Sequence, residues 1–335
     1  MATIRLNRSH FYHNLSQFAL KIGSLEKIAI VLKDNAYGHG ILQIAELASE
    51  YGIQKAVVRD VKEAKLIQRY FRDIIILGGA IEPHEGFSFV VNSLDGLRLC
   101  PKQTPIELKI DTGMHRNGIS MDEIGIALEI ISQNKLNLVG VMSHYASADE
   151  LGSEYFYQRQ NFKKVKSFIQ EAGFENTRFH IDNSAGAMRC NEFEFDLVRL
   201  GIGAYGYSHM ASSLDSLDLK PVLSLYAKRV STRVLKRGER VGYGGEFVAP
   251  RDMQVSTYDI GYGDGWRRGD ATLPYVTPHN GAFLGRVSMD FVSLKGNSDE
   301  VCIMQDALVA AKHFGTISYE ITCALHADIK RIIVD

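Results

Sequence analysis

The chain has 335 residues, 45% of them hydrophobic and 23% charged, with a formal net charge of −1. That length suits one large domain and a smaller one, since single cores stop growing near ~250–300 residues. The ordinary composition excludes disorder, and the near-neutral charge excludes a global field for nucleic acid or an acidic membrane, which leaves a small molecule as the expected partner.

In chain order, short apolar runs alternate with amphipathic stretches from Lys27 to about Gly206, the pattern of a parallel α/β fold. The expected strands are 28–33 (IAIVLK), 55–58 (KAVV), 73–78 (DIIILG), 87–91 (FSFVV), 106–110 (IELKI), 138–144 (LVGVMSH), 178–182 (RFHID) and 196–200 (DLVRL). Apolar spacing near 3.6 residues predicts helices over 40–52 and 157–173. Eight such βα units predict a (β/α)8 barrel of the TIM type, placed over 7–210. After Tyr207 the texture shifts to alternation, β-branched residues and glycine turns in 221–244, 253–263 and 282–296, with a helical stretch at 306–315. Residues 211–335 are therefore expected to form a mainly β domain, with the boundary falling in 207–220.

Cys100, Cys190, Cys302 and Cys323 form no CxxC pair, which argues against a zinc site or a disulfide framework and suits a reducing cytoplasm. The N-terminal MATIRLNRSHFYHNLSQ has no apolar h-region, and the longest apolar run, Ile74 to Ile81, is far below the ~18 residues of a membrane span. No targeting segment, membrane span or metal is expected.

Active sites of such barrels collect at the C-terminal ends of the strands. There the sequence places Lys33 at the end of the first strand, Lys109 near the end of the fifth and His144 at the end of the sixth. Asn183 and Ser184 follow the seventh, and Arg199 sits at the end of the eighth. Taken singly, each is more simply a strand end meeting water, or a satisfied histidine. Random surface polarity does not explain their convergence on one rim. A lysine at the mouth of a partly apolar barrel loses its proton readily and can form a Schiff base with a carbonyl, of which pyridoxal phosphate is one. Loops 183–186 (NSAG) and 201–203 (GIG) stand where barrels often bind phosphate, although each alone also reads as an ordinary turn.

The segment VLKDNAYGHG (31–40) resembles the lysine motif of bacterial alanine racemases. The likeness continues in order through LKIDTGMHRNG (108–118), MSHYASADE (142–150), HIDNSAG (180–186), DLVRLGIGAYG (196–206), RVGYGG (240–245), IGYGDGW (260–266), LGRVSMD (284–290) and TISYE (316–320). It implies a barrel that binds pyridoxal phosphate, a C-terminal β domain that also takes strand 2–6, and a cytoplasmic homodimer whose sites are completed by the partner's β domain. Carried over position by position, Lys33 would hold the cofactor and act as one base, and Tyr243 of the opposite subunit would be the other. Tyr37, Ser184, Gly201, Ile202 and Tyr319 would bind phosphate beside Asn183, His144 would pack on the pyridine ring, and Arg199 would face its nitrogen. Arg116, held by a Lys109 that is carbamylated in some members, would contact the substrate carboxylate together with the Met289 backbone. Tyr262, Asp149, His180, Arg268 and Arg286 match the supporting residues and entrance of the site.

The implied reaction is an isomerase's: interconversion of L- and D-alanine, with D-alanine feeding peptidoglycan. It needs one base on each face of a planar carbanion, which Lys33 and Tyr243 could supply. An always-charged Arg199 cannot take a proton from the ring nitrogen, which favours a short-lived carbanion. Three positions depart from the family: Leu200 replaces a common proline, His115 a common glycine, and 270–281 is short. A serine or broad-specificity racemase is the alternative substrate reading. A non-catalytic pyridoxal phosphate carrier, opposed by Tyr243 and the β domain, and a decarboxylase, opposed by Arg199, are the alternatives of other kinds.

Overall fold

The computed structural model describes residues 2–335, and the chain forms two compact units. One holds 12–36 and 44–220; the other holds the residues up to Phe11, 37–43 and 221–335.

The first unit is the expected barrel. Its parallel strands are Ile28–Val31, Lys55–Val58, Asp73–Ile76, Phe87–Val91, Pro105–Asp111, Asn137–Met142, Arg178–His180 and Val198–Leu200. Each of the first six pairs with the next, and the last returns to the first with Arg199 opposite Ala29. The seventh and eighth form no regular ladder. Single bonds bridge them instead, Asp196 N–H to Phe179 O at 2.8 Å and Arg199 N–H to Asp182 O at 2.9 Å. Strands buried on both faces read as continuous apolar runs, as Ile28–Val31 does.

Four predicted strands end two residues early. The first stops at Val31 because Asp34, Asn35, Ala36 and Tyr37 form a left-handed turn at φ 53–55°. Each such residue other than glycine costs about 1–2 kcal/mol, so packing and not local preference sets this turn. The helices expected over 40–52 and 157–173 run over Ile41–Tyr51 and Glu154–Glu171.

The fifth strand shows how sequence aims side chains. Ile106, Leu108 and Ile110 pack outward in a core with Ile124, Leu128, Ile131 and Phe162 of the surrounding helices. Alternation then turns Glu107 and Lys109 to the opposite face, into the barrel.

The second unit is mainly β. Its sheet runs Val292–Lys295, Met253–Tyr258, Leu223–Leu235, Thr3–Asn7 and Lys330–Val334, and Glu300–Met304 pairs with the early half of Leu223–Leu235. Thr3–Asn7 alternates buried Ile4 and Leu6 with half-buried neighbours. The expected helix is Ala307–Phe314, capped by Asp306 and closed by Gly315 at φ 65°. No helix among the described residues is long and apolar enough to cross a membrane.

Candidate active site

Arg199 is the hub of the barrel interior. It is buried, and a buried guanidinium needs acceptors for its donors. Its Nη1 donates to His180 Nδ1 at 2.7 Å and to the His180 carbonyl at 3.1 Å. Its Nη2 donates to the carbonyls of Ser143 (2.7 Å) and Ile181 (3.1 Å), and to His144 Nδ1 at 3.3 Å. The eighth strand supplies the arginine, the sixth and seventh its acceptors.

Because arginine only donates, both imidazoles present a bare Nδ1 to it and keep their proton on Nε2. Burial, then the charges of Arg199, Lys109, Arg116 and Lys33, push His144 down to about 3, so this ring is neutral. Burial likewise lowers the pKa of His180.

Behind His180 lies a chain that reading the strand ends missed. His180 Nε2 meets Glu107 Oε2 at 2.9 Å. Glu107 Oε1 accepts from Arg178 Nε at 2.7 Å and from Ser88 Oγ at 3.3 Å, and Arg178 pairs in turn with Asp73. Burial opposes the Glu107 charge, but His180 and Arg178 outweigh it and hold the carboxyl at about 2. The alternating polar positions in IELKI and RFHID carried the signal for this chain.

His180 was expected among the supporting residues and entrance. It is fully buried between Glu107 and Arg199, so it lines no entrance and supports Arg199 from within.

Lys109 also faces the interior and contacts Asn117. Burial, then Arg116 and Arg199, bring it down to about 8, with Lys33 adding in the same direction and Asp111 opposing. Lys33 stands just past the first strand, half-buried, and the Val31 carbonyl behind it accepts the Tyr205 hydroxyl at 2.7 Å. Arg116 is exposed on the loop where Asp111 Oδ1 gathers the N–H groups of Gly113, Met114 and His115. His115 holds φ 54° there, which explains why glycine suits the position.

The expected phosphate loops converge. Ser184 Oγ accepts the N–H groups of Gly201 at 3.1 Å and Gly203 at 3.2 Å, while Asn183 caps the short helix Ser184–Arg189 through Gly186 N–H. Gly203 has no room for more: a Cβ there would stand 2.6 Å from the Phe18 ring and 3.1 Å from Ser184 Cβ. Leu200, next to this loop, is a buried strand residue paired with Ile30. Asp149 lies on the loop after the sixth strand, where its carbonyl accepts Ala211 N–H at 2.8 Å.

The remaining expected residues lie in the β unit. Tyr243 opens a one-turn segment and is 68% exposed. Arg286, paired with Glu246, lies against that turn, its Cζ 3.7 Å from where a Cβ of Gly244 would be. Tyr262 N–H donates to Ser288 O at 3.1 Å and Gly263 N–H to Met289 O at 2.8 Å, joining these two loops. Tyr262 and Met289 are 43% and 56% exposed, and Arg268 is exposed nearby in sequence. Tyr37 and Tyr319 meet ring to ring at 5.8 Å.

Two family models match the chain, the alanine racemase N-terminal domain over residues 6–209 and the alanine racemase C-terminal domain over 222–333. The alanine racemase of Campylobacter curvus is 44% identical over the full length of both proteins. Among solved structures, alanine racemase of Clostridium difficile 630 superposes with a TM-score of 0.89 at 24% identity, covering 99% of this chain and 95% of that one. A histidine racemase of Leuconostoc mesenteroides superposes at 0.86 with 24% identity, covering 100% and 98%, so the fold does not by itself select alanine. Matched over both of its domains and along its whole length, the chain belongs to the alanine racemase family.

Proposed function

We propose that the protein is an alanine racemase that uses pyridoxal 5'-phosphate, works in the cytoplasm as a homodimer with shared sites, and supplies D-alanine for peptidoglycan. The observation that carries this reading is the end-to-end likeness to relatives named alanine racemase, in a chain that carries Lys33, Arg199 and Tyr243. The substrate rests on those relatives, because the barrel is common to racemases of other amino acids.

The residues present fit the cofactor. Ser184 Oγ accepts the N–H groups of Gly201 and Gly203 within 3.2 Å, which leaves its own hydroxyl proton to donate to a phosphate oxygen beside these loops. Lys33, Tyr37, His144, Asn183, Ser184, Arg199, Gly201, Ile202 and Tyr319 would hold it. When bound, it supplies an electron sink that lets an amino acid release its α-proton. Lys33 Nζ takes or returns that proton on one face, and the Tyr243 hydroxyl of the partner subunit does so on the other. Arg199 would face the ring nitrogen, where a guanidinium locked by its acceptors neither gives up nor takes a proton. Arg116 and the Met289 backbone hold the substrate carboxylate, Lys109 holds Arg116, and Asp149, Tyr262, Arg268 and Arg286 line the approach. A carrier role is not favoured, since the matched C-terminal domain would be idle in one.

Chiral chromatography of L-alanine incubated with the protein and pyridoxal phosphate tests this. D-alanine should form with the intact chain, and Lys33→Ala should lose about 10⁴-fold, the upper end for a positioned base. An intact chain that takes up the cofactor but leaves L-alanine unchanged contradicts it.

A further inference from the structure

We propose that Glu107 is a positioning residue for the reaction: by accepting the Nε2 proton of His180 it fixes that ring's tautomer and so the orientation of Arg199. The proposal rests on the reading of Arg199 as the group that faces the cofactor's ring nitrogen.

Arg199 can bond the His180 ring only if Nδ1 is bare, and the 2.7 Å contact places the guanidinium there. The His180 proton then has to sit on Nε2. Fully buried, it needs an acceptor, and Glu107 Oε2 is that acceptor at 2.9 Å. A flipped tautomer would set an N–H against the guanidinium and a lone pair against the carboxylate, losing both bonds at once.

The backbone makes space for this carboxylate. Glu107 is opposite Gly140 in the sheet, where a register shift leaves Val139 unpaired between Leu138 and Gly140. A Cβ on Gly140 would collide with both carboxylate oxygens of Glu107. Bulges beside active sites re-aim side chains, and this one clears the volume the carboxylate occupies. Barrel interiors are ordinarily layered with branched apolar residues. Here that layer is replaced by Asp73, Ser88, Glu107 and Arg178, in which Arg178 holds Glu107 from the side away from His180.

The test compares the wild-type holoenzyme with Glu107→Gln, which keeps the shape but can turn its amide to donate, and with Asp73→Asn, which weakens the same network one pair further from His180. Two readouts are needed: kcat and KM for alanine in both directions, and the ¹⁵N signals of His180 in ¹⁵N-histidine-labelled protein, assigned by a His180→Gln variant. Wild type should show His180 protonated on Nε2 alone. Glu107→Gln should disturb that state and lower kcat by about tenfold or more with KM within about twofold, the size of loss seen when the group orienting an active-site histidine is removed. Asp73→Asn should lower the melting temperature and leave kcat in place. Unchanged His180 signals and unchanged kcat in Glu107→Gln would overturn the proposal, as would equal kcat losses in both variants. If Glu107→Gln does not fold, Gly140→Ala, which keeps the carboxylate but takes its space, is judged by the same two readouts. A wild type that fails to racemise alanine would refute the proposed function, while the His180 signals would still decide the role of Glu107.

Discussion

The barrel interior and the Tyr243 face of the β unit handle their polar groups in opposite ways. Inside the barrel, Arg199 is buried with its donors met by three backbone carbonyls and two imidazoles. On the β unit, Tyr243 and Tyr262 stand exposed on short glycine-bearing turns, and Met289 is exposed on the loop that meets the second of them. A site that must hold a ring in one electronic state needs the first kind of environment. A group that must meet another surface needs the second. That contrast is what the proposed function asks for, with the barrel to hold the cofactor and the β unit to offer a base to a second copy of the chain.

Reversing the charge at the hub breaks the interior most severely. Arg199→Glu would set a second carboxylate beside His180, facing carbonyl oxygens in place of the guanidinium that donates to them, and an uncompensated buried charge costs about 3–5 kcal/mol. In the protein that still folds, a carboxylate at the ring nitrogen should prolong the carbanion, so pyruvate formation from alanine should rise while racemisation falls. Lactate dehydrogenase coupling reads the pyruvate, and no increase would show that Arg199 does not set the carbanion's lifetime.

Lys109 sharpens the comparison more gently. Its folded pKa of about 8 lies below its ordinary 10.5, so the unfolded chain binds more protons between those values. Stability of the cofactor-free protein should therefore gain from this group as pH rises from about 8 towards 10.5, and Lys109 should be a burden below that window. Urea unfolding of wild type and Lys109→Met should show the variant's advantage largest at pH 7 and shrinking by pH 10. A difference that does not vary with pH would mean that Lys109 is not depressed by its neighbours.

Much of this is legible in the sequence. Eight apolar runs marked the barrel strands because parallel strands covered on both faces must be apolar throughout. Lys33, Lys109, His144, Ser184 and Arg199 stood out because polar residues at strand ends interrupt that pattern. Glu107, Arg178 and Asp73 were passed over because they lie at or near strand beginnings, where a charge normally means the edge of the barrel. The alternation in IELKI and RFHID marks the face that Glu107 and Arg178 share, but their pairing follows from strand neighbours far apart in sequence, and no local signal carries that. The left-handed turn of Ala36 and Tyr37 was equally hidden, since neither residue favours positive φ and only tertiary packing holds them there. The pairing of the long strand Leu223–Leu235 shifts register after Leu225 and after Arg229, which alternation alone does not reveal.

The central claim is that one subunit's Lys33 works with the other's Tyr243, and mixing two inactive variants tests it most directly. Lys33→Ala and Tyr243→Phe, each purified and then exchanged into mixed dimers, should be nearly inactive alone. If sites are shared, a mixed dimer carries one site with both bases intact, and an equal mixture should recover about a quarter of wild-type racemisation by statistical pairing of a two-fold dimer. No recovery, in a mixture shown to contain mixed dimers, would mean that both bases come from the same chain and would contradict the account.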